Sequence, residues 1–245
     1  MTKIKIFFIL LFALPASSYA DDFFQWSANN IQLLRGNGFE LGDSQRLTVT
    51  YEHVNGWRYG ENFLFVDIVE RDDIGIEAYG EWYPRLSLGK MTNRDLSFSI
   101  IKDFSIVGGI NAGSEPSRDP HKAYLLGGGI KLDVPYFDFL NLDVYAYKSD
   151  NVESYGFQIT PFWKIPFNIG KVNFIFHGFV DYASEGATGG KAYILTQPQL
   201  LLDLKKTFGI KHNVFIGIEY TYWRKKFGIN NVDEESAQAM VSLGF

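Results

Sequence analysis

Apolar and polar side chains alternate with a period of two over runs of about ten residues, and this pattern constrains the chain more than any other feature. At the C-terminus Ala237, Ala239, Val241, Leu243 and Phe245 share one face, while Ser236, Gln238, Ser242 and Gly244 share the other. Val214, Ile216, Ile218, Tyr220 and Tyr222 oppose Asn213, Gly217, Glu219 and Thr221; Leu140, Leu142, Val144 and Ala146 oppose Asn141, Asp143, Tyr145 and Tyr147. Successive side chains of a strand point to opposite faces, so each run predicts a strand with one apolar and one polar side. Such runs fall at 23–34, 45–55, 61–70, 75–89, 97–112, 121–134, 138–148, 153–165, 171–182, 192–204, 211–223 and 236–245, separated by Gly, Asn, Asp and Pro clusters. No stretch beyond the N-terminus sustains a helical period, and no linker or second domain interrupts the pattern.

The direction of the polar face decides the fold class. Soluble sandwiches turn the apolar face inward and build it from strands of about five or six residues. These runs are longer, close to the 9–11 residues a tilted strand needs to cross a bilayer. Aromatic types make up 17 % of the chain, and pairs such as Phe23-Phe24, Trp82-Tyr83 and Phe162-Trp163 stand at run ends, as in the girdles of membrane barrels. The connections at 35–44, 113–120, 183–191 and 224–235 read as long, and those at 56–60, 135–137 and 166–170 as short, which is the asymmetry of an outer-membrane barrel. The expectation is an all-β, transmembrane antiparallel barrel of about twelve strands over 21–245, as a single domain. Twelve strands give each strand and its connection about 19 residues; the sixteen of a general porin would leave about 14.

Residues 1–20 read as a cleaved secretory signal peptide. Lys3 and Lys5 precede an apolar stretch at 6–14, and Ser18-Tyr19-Ala20 forms a small-x-small cleavage site. As a helix the apolar stretch is about 14 Å long, too short for a hydrocarbon core of ~30 Å. Together these features predict a bacterial outer-membrane location.

Composition narrows function by exclusion. With no cysteine, thiol nucleophiles, disulfide scaffolds and zinc ribbons are out. A formal charge of -5 argues against a nucleic-acid partner. The histidines are His53, His121, His177 and His212. His177 and Asp181 share a face but stand about 13 Å apart along a strand, too far for a dyad. His121 reads as a loop residue, and Gly127-Gly128-Gly129 as a bend or a close backbone approach, not a phosphate loop. The chain therefore reads as a non-enzyme without cofactor or metal, embedded in outer-membrane lipid, with any transport passive.

Parity turns a distinctive set of side chains inward: Arg46, Glu52, Asp67, Glu77, Glu81, Arg85, Lys131, Asp133, Asp143, Lys164, His177, Asp181 and Glu219, with Phe65, Tyr79, Tyr83, Tyr145, Tyr147, Phe162, Phe179 and Phe215 between them. Mixed charges stabilise any aqueous barrel wall. Ring faces add stacking, worth about 1–3 kcal/mol per base, and carboxylates beside them can accept from sugar hydroxyls. Candidate solute contacts are Phe65, Asp67, Glu77, Tyr79, Glu81, Arg85, Tyr145, Phe162, Lys164, Asp181 and Glu219. A turn at 71–73 would set Asp67 opposite Glu77 and Phe65 opposite Tyr79.

Two segments carry a family resemblance. Pro84-Arg85-Leu86-Ser87, followed by Lys90, Thr92-Asn93 and Asp95-Leu96-Ser97-Phe98, resembles a stretch of the nucleoside-specific channel-forming family (Tsx-like, with the related OmpK-type phage receptors). The segment from Asn55-Gly56-Trp57 to Phe65-Val66-Asp67 is similar to the OmpK-type branch. The resemblance implies a monomeric twelve-stranded outer-membrane channel passing nucleosides down their gradient, with loops open to phage or colicin. Its alternatives are a structural or phage-receptor barrel with a closed lumen, and a small general porin for other small polar solutes.

Overall fold

A computed structural model describes residues 23–71, 75–115 and 118–245. The leader expected at 1–20 and positions 72–73 of the expected turn lie outside these residues. The strands are β1 (Phe24–Asn37), β2 (Gln45–Trp57), β3 (Gly60–Arg71), β4 (Gly75–Ser87), β5 (Ile101–Glu115), β6 (Arg118–Leu132), β7 (Phe139–Ser149), β8 (Gly156–Ile169), β9 (Val172–Ala183), β10 (Tyr193–Thr196), β11 (Gln199–Asp203), β12 (Asn213–Arg224) and β13 (Glu234–Gly244). Each pairs antiparallel with its neighbours, and β13 pairs with both β12 and β1, so the sheet closes on itself. At the seam the Phe245 N–H donates to the Asn29 carbonyl at 3.0 Å, and the Asn29 N–H donates back at 3.1 Å.

The thirteen segments fill twelve positions around the ring. β10 and β11 are halves of one strand, since both lie between β9 and β12. The break falls at Gln197-Pro198, where proline has no N–H to give the ladder. The run expected at 192–204 is therefore two strands.

Burial is inverted relative to a soluble protein. Outward-facing Leu33, Leu126, Ile218 and Val241 are 50 %, 66 %, 53 % and 48 % exposed, whereas inward-facing Asn141, Asp143, Gln158 and Gln238 are buried. Such an apolar belt around a polar interior is stable only in a bilayer, where closing the sheet satisfies every backbone group. The protein is an outer-membrane β-barrel. Rings gather at the strand ends: Phe23 lies 5.1 Å from Trp57, Phe167 stacks on Phe174 at 5.4 Å, and Trp223 meets Phe227 at 4.6 Å.

We call the end where β1 begins and β13 finishes proximal, and the opposite end distal. The loop pattern departs from expectation in two ways. The connection expected at 113–120 shrinks because β5 and β6 pair out to Glu115 and Arg118 through a register shift. Glycines at 108, 109 and 113 have no side chains to carry the alternation there. Two proximal connections are longer than a tight turn and hold short helices, α1 (Leu88–Thr92) and α3 (Leu204–Phe208); a third, α2 (Glu185–Thr188), is distal.

Candidate functional site: the bore

The polar bore is set by backbone parity, which aims alternate residues of every strand inward. Each candidate contact named from sequence faces it. Asp133 does not: it follows the end of β6 and is exposed in the turn. His121 is a β6 residue and no loop residue, with its ring stacked on Tyr79 at 6.2 Å.

The register between β3 and β4 differs by two from the expected one. Asp67 pairs with Tyr79, Phe65 with Glu81, and Val69 with Glu77, because Arg71 pairs with Gly75, so the three-residue connection falls at 72–74, one position later than the expected 71–73 turn. The two carboxylates are thus not opposed. Asp67 accepts from the Thr50 hydroxyl at 2.5 Å, and Glu77 pairs with Arg71 at 3.2 Å.

Paired charges occupy both ends of the bore. Proximally, Lys131 meets Glu61 at 3.5 Å and Lys164 meets Asp138 at 3.2 Å. Distally, beside Arg71–Glu77, buried Lys226 donates to buried Glu234, and Arg46 donates to the Asp43, Glu40 and Leu41 carbonyls at 3.3 Å each. Burial holds the Lys226 ammonium below the usual lysine range, against the pull of Glu234.

Arg85 and Asp143 form the one deeply buried ion pair of the strand region among the described residues. One guanidinium nitrogen reaches both carboxylate oxygens, at 2.5 and 2.6 Å, and the Tyr145 hydroxyl adds a bond at 2.8 Å. The guanidinium also lies 5.4 Å from the Phe162 ring. β5 and β6 separate the two residues, and the span is possible because Gly129, the register partner of Asp143, has no side chain. A Cβ there would lie 2.2 Å from the Asp143 carboxylate and 2.8 Å from Arg85. This is the close approach expected of the glycine triplet.

Carboxylates and amides line the middle of the bore. Asn30, Glu52, Phe65, Glu81 and Asn111 follow one cross-strand row over β1 to β5. Gln238, Glu219, Gln199 and His177 follow another over β13 to β9. Glu52 accepts from Asn30 at 2.6 Å and Glu81 from the Tyr79 hydroxyl at 2.5 Å. Asp181 accepts from Thr160 at 2.5 Å and Gln158 at 3.1 Å; Glu219 accepts from Gln199 at 2.7 Å and Gln238 at 2.9 Å. Glu81 is within electrostatic reach of Asp181 and Asp67, and Glu219 of Asp67 and Glu52, so these acids face one another across the lumen. Tyr83, Tyr145 and Tyr147 pack with buried Val107 and Leu125 on one wall. Leu34, Leu201 and Met240, with Ile175 and Phe215, form an apolar patch on the other.

Gln199 and Gln238 were not among the sequence candidates. Parity on the last strands was the available signal for them, but an amide's role shows only once its carboxylate partner is placed. Among the described residues no group of three His, Cys, Asp or Glu side chains could hold a metal ion.

The segment 84–98, on which the resemblance to Tsx-like channels rests, is built mainly as a turn. Ser87 caps α1 by accepting from the Lys90 N–H at 3.0 Å, and Asn93 closes it in the left-handed region (φ 52°). Lys90 reaches the Trp57 carbonyl at 3.3 Å, and Asp95 accepts from the Ser97 N–H at 2.9 Å, which holds its carboxyl below the usual range. Only Arg85 of this stretch enters the ion-paired bore network described above.

No curated protein matches the sequence. Among solved structures, the KdgM porin in complex with disordered oligogalacturonate is similar with a TM-score of 0.50 at 12 % identity, over 89 % of this chain and 99 % of that one. Another KdgM porin structure gives 0.50 at 13 %, over 88 % and 99 %. Pseudomonas aeruginosa OccK11 gives 0.41 at 6 %, over 89 % and 95 %. The KdgM likeness is one of fold, a porin-type barrel. The family model described as "Domain of unknown function (DUF5020)" matches residues 28–234, from within β1 to the first residue of β13, and the chain belongs to that family.

Proposed function

We propose that the protein is a passive, monomeric outer-membrane channel for small polar solutes, and that nucleosides or solutes of similar shape are its cargo. The observation that carries the channel reading is a polar, ring-lined bore within a closed, apolar-faced barrel. The fold shared with the KdgM porin supports it. Two things support nucleosides: the resemblance to the Tsx-like channels, and rings beside acceptors in the bore, which suit a flat heterocycle carrying hydroxyls. In this reading Phe65, Tyr79, Tyr145 and Phe162 offer ring faces, and Asp67, Glu77, Glu81, Asp181 and Glu219 accept from sugar hydroxyls. Arg85 and Lys164 then act as donors at the wall. We propose no catalytic role for any of them.

The test is uptake of labelled adenosine or thymidine by liposomes holding the folded protein, with glucose and glutamate as controls. Preferential nucleoside entry, reduced by Phe65→Ala or Asp67→Asn, supports the proposal. Equal entry of all solutes makes the protein a small general porin. No entry, with folding verified by a heat-modifiable gel shift, overturns the channel and leaves a barrel whose loops serve phage or colicin contact.

A further inference from the structure

The charges of the bore are unevenly compensated. Arg71, Arg85, Lys131, Lys164 and Lys226 each have an acidic partner, and those pairs account for Glu77, Asp143, Glu61, Asp138 and Glu234; Arg46, at the distal end, donates to backbone carbonyls in the field of Glu234 and Glu77. Glu52, Asp67, Glu81, Asp181 and Glu219 are left with neutral donors, among them the hydroxyls and amides of Asn30, Thr50, Tyr79, Thr160, Gln158, Gln197, Gln199 and Gln238. They stand on β2, β3, β4, β9 and β12 and reach one another electrostatically, so they form a belt around the lumen and no converged cage.

A second observation, independent of the acids, points the same way. Asn111 and Gln238 are 6 % and 5 % exposed, and the side-chain carbonyl oxygen of each has no hydrogen-bond donor. Asn111 is the register partner of Glu81, while Gln199 and Gln238 give their amide protons to Glu219. An unmet carbonyl in a buried wall is costly, and both of these are acceptors; the unmet donors of the bore, Arg85 Nη1 and Trp223 Nε1, stand four residues along their strands from Glu81 and Glu219. A solute that donates hydrogen bonds or carries positive charge complements such a surface, and rings of Asp and Glu select cations in other pores.

We propose that the middle of the bore selects by charge, admitting small solutes that bear a protonated amine or another cation in preference to anions. This rests on the channel reading above. Local cation concentration rises in a lumen lined by one sign of charge, and anions meet repulsion there.

The experiment is the reversal potential of the full protein in a planar bilayer under a potassium chloride gradient, paired with liposome swelling in glucosamine, glucose and glucuronate. The expected result is potassium permeability several-fold above chloride, and swelling fastest in glucosamine and slowest in glucuronate. Neutralising the belt with Glu81→Gln, Asp181→Asn and Glu219→Gln is expected to bring the permeability ratio towards one while conductance persists. A conducting wild-type protein with no cation preference, or a conducting folded variant whose ratio is unchanged, overturns the proposal and leaves the channel reading standing. No conductance from folded protein overturns both. If the variant does not fold, the wild-type reversal potential and the swelling order decide the matter alone.

Discussion

Removing the Arg85 guanidinium strands the Asp143 carboxylate, itself 2 % exposed, without a cation. Breaking one side of a buried pair costs about 3 kcal/mol or more, whereas replacing both sides with apolar groups costs less. Arg85→Met is therefore expected to lower the temperature of the heat-modifiable gel shift, and Arg85→Met with Asp143→Leu to recover part of the loss. A double variant no more stable than the single one would count against the pairing. Asp233 offers a test of pH dependence outside the membrane. The Lys225 N–H at 2.8 Å and Arg224 at 2.9 Å hold its carboxyl below the usual aspartate range. A depressed carboxyl contributes order that is complete above the ordinary pKa of about 3.9 and is lost as pH falls through the lowered value. NMR of the protein in micelles should show Asp233 titrating below that reference; titration at or above it would remove the loop contact from the account.

At the scale of the element, β6 owes its place beneath Arg85 to a missing side chain. Gly129→Val puts atoms where the Asp143 carboxylate and the guanidinium meet. Overpacking of this kind costs about 1–3 kcal/mol, so the unfolding free energy from denaturant titration should fall by that amount with the strand ladder retained. A neutral result would mean that Arg85 has another route to Asp143. Gly128 faces the other way and has nothing nearer than 3.9 Å to a built Cβ, which makes Gly128→Ala the matched control. The turn elements follow local rules too: α1 holds Ser87 and Asn93 at its two ends, the residue types a short helix needs to stop cleanly.

At the scale of the whole molecule, the wall separates two solvents, and a substitution's cost depends on which one it meets. Ile218 on β12 is 53 % exposed to the lipid side, while its neighbour Glu219 is buried in the bore. Ile218→Arg is expected to destabilise folding into lipid vesicles by about 2–4 kcal/mol, as a cation at bilayer depth does. Glu219→Gln, one residue away, should cost far less because it keeps the shape and one of the two amide contacts with Gln199 and Gln238. Equal costs at the two positions would contradict the inside-out assignment.

How much of this the chain reveals unaided follows from which quantities are local. Parity is a property of the extended backbone, so the inward positions of Phe65, Glu81, Asp181 and Glu219 could be read before any fold was known, as could a barrel of twelve strands from the length of the runs. Register is not local. The β3–β4 pairing depends on where the turn falls, and a shift of its centre by one residue moved the partner of Asp67 by two, from Glu77 to Tyr79. The break at Pro198 was visible as a proline, yet its effect depends on β9 and β12 pairing with both flanking pieces. The sequence by itself determined which side chains within the strands enter the bore, because alternation follows from covalent geometry, while strand ends such as Asp133 escaped it. The tertiary structure alone decided which of them meet: Arg85 and Asp143 are 58 positions apart, and the acids on β4 and β9 face each other only because the sheet closes.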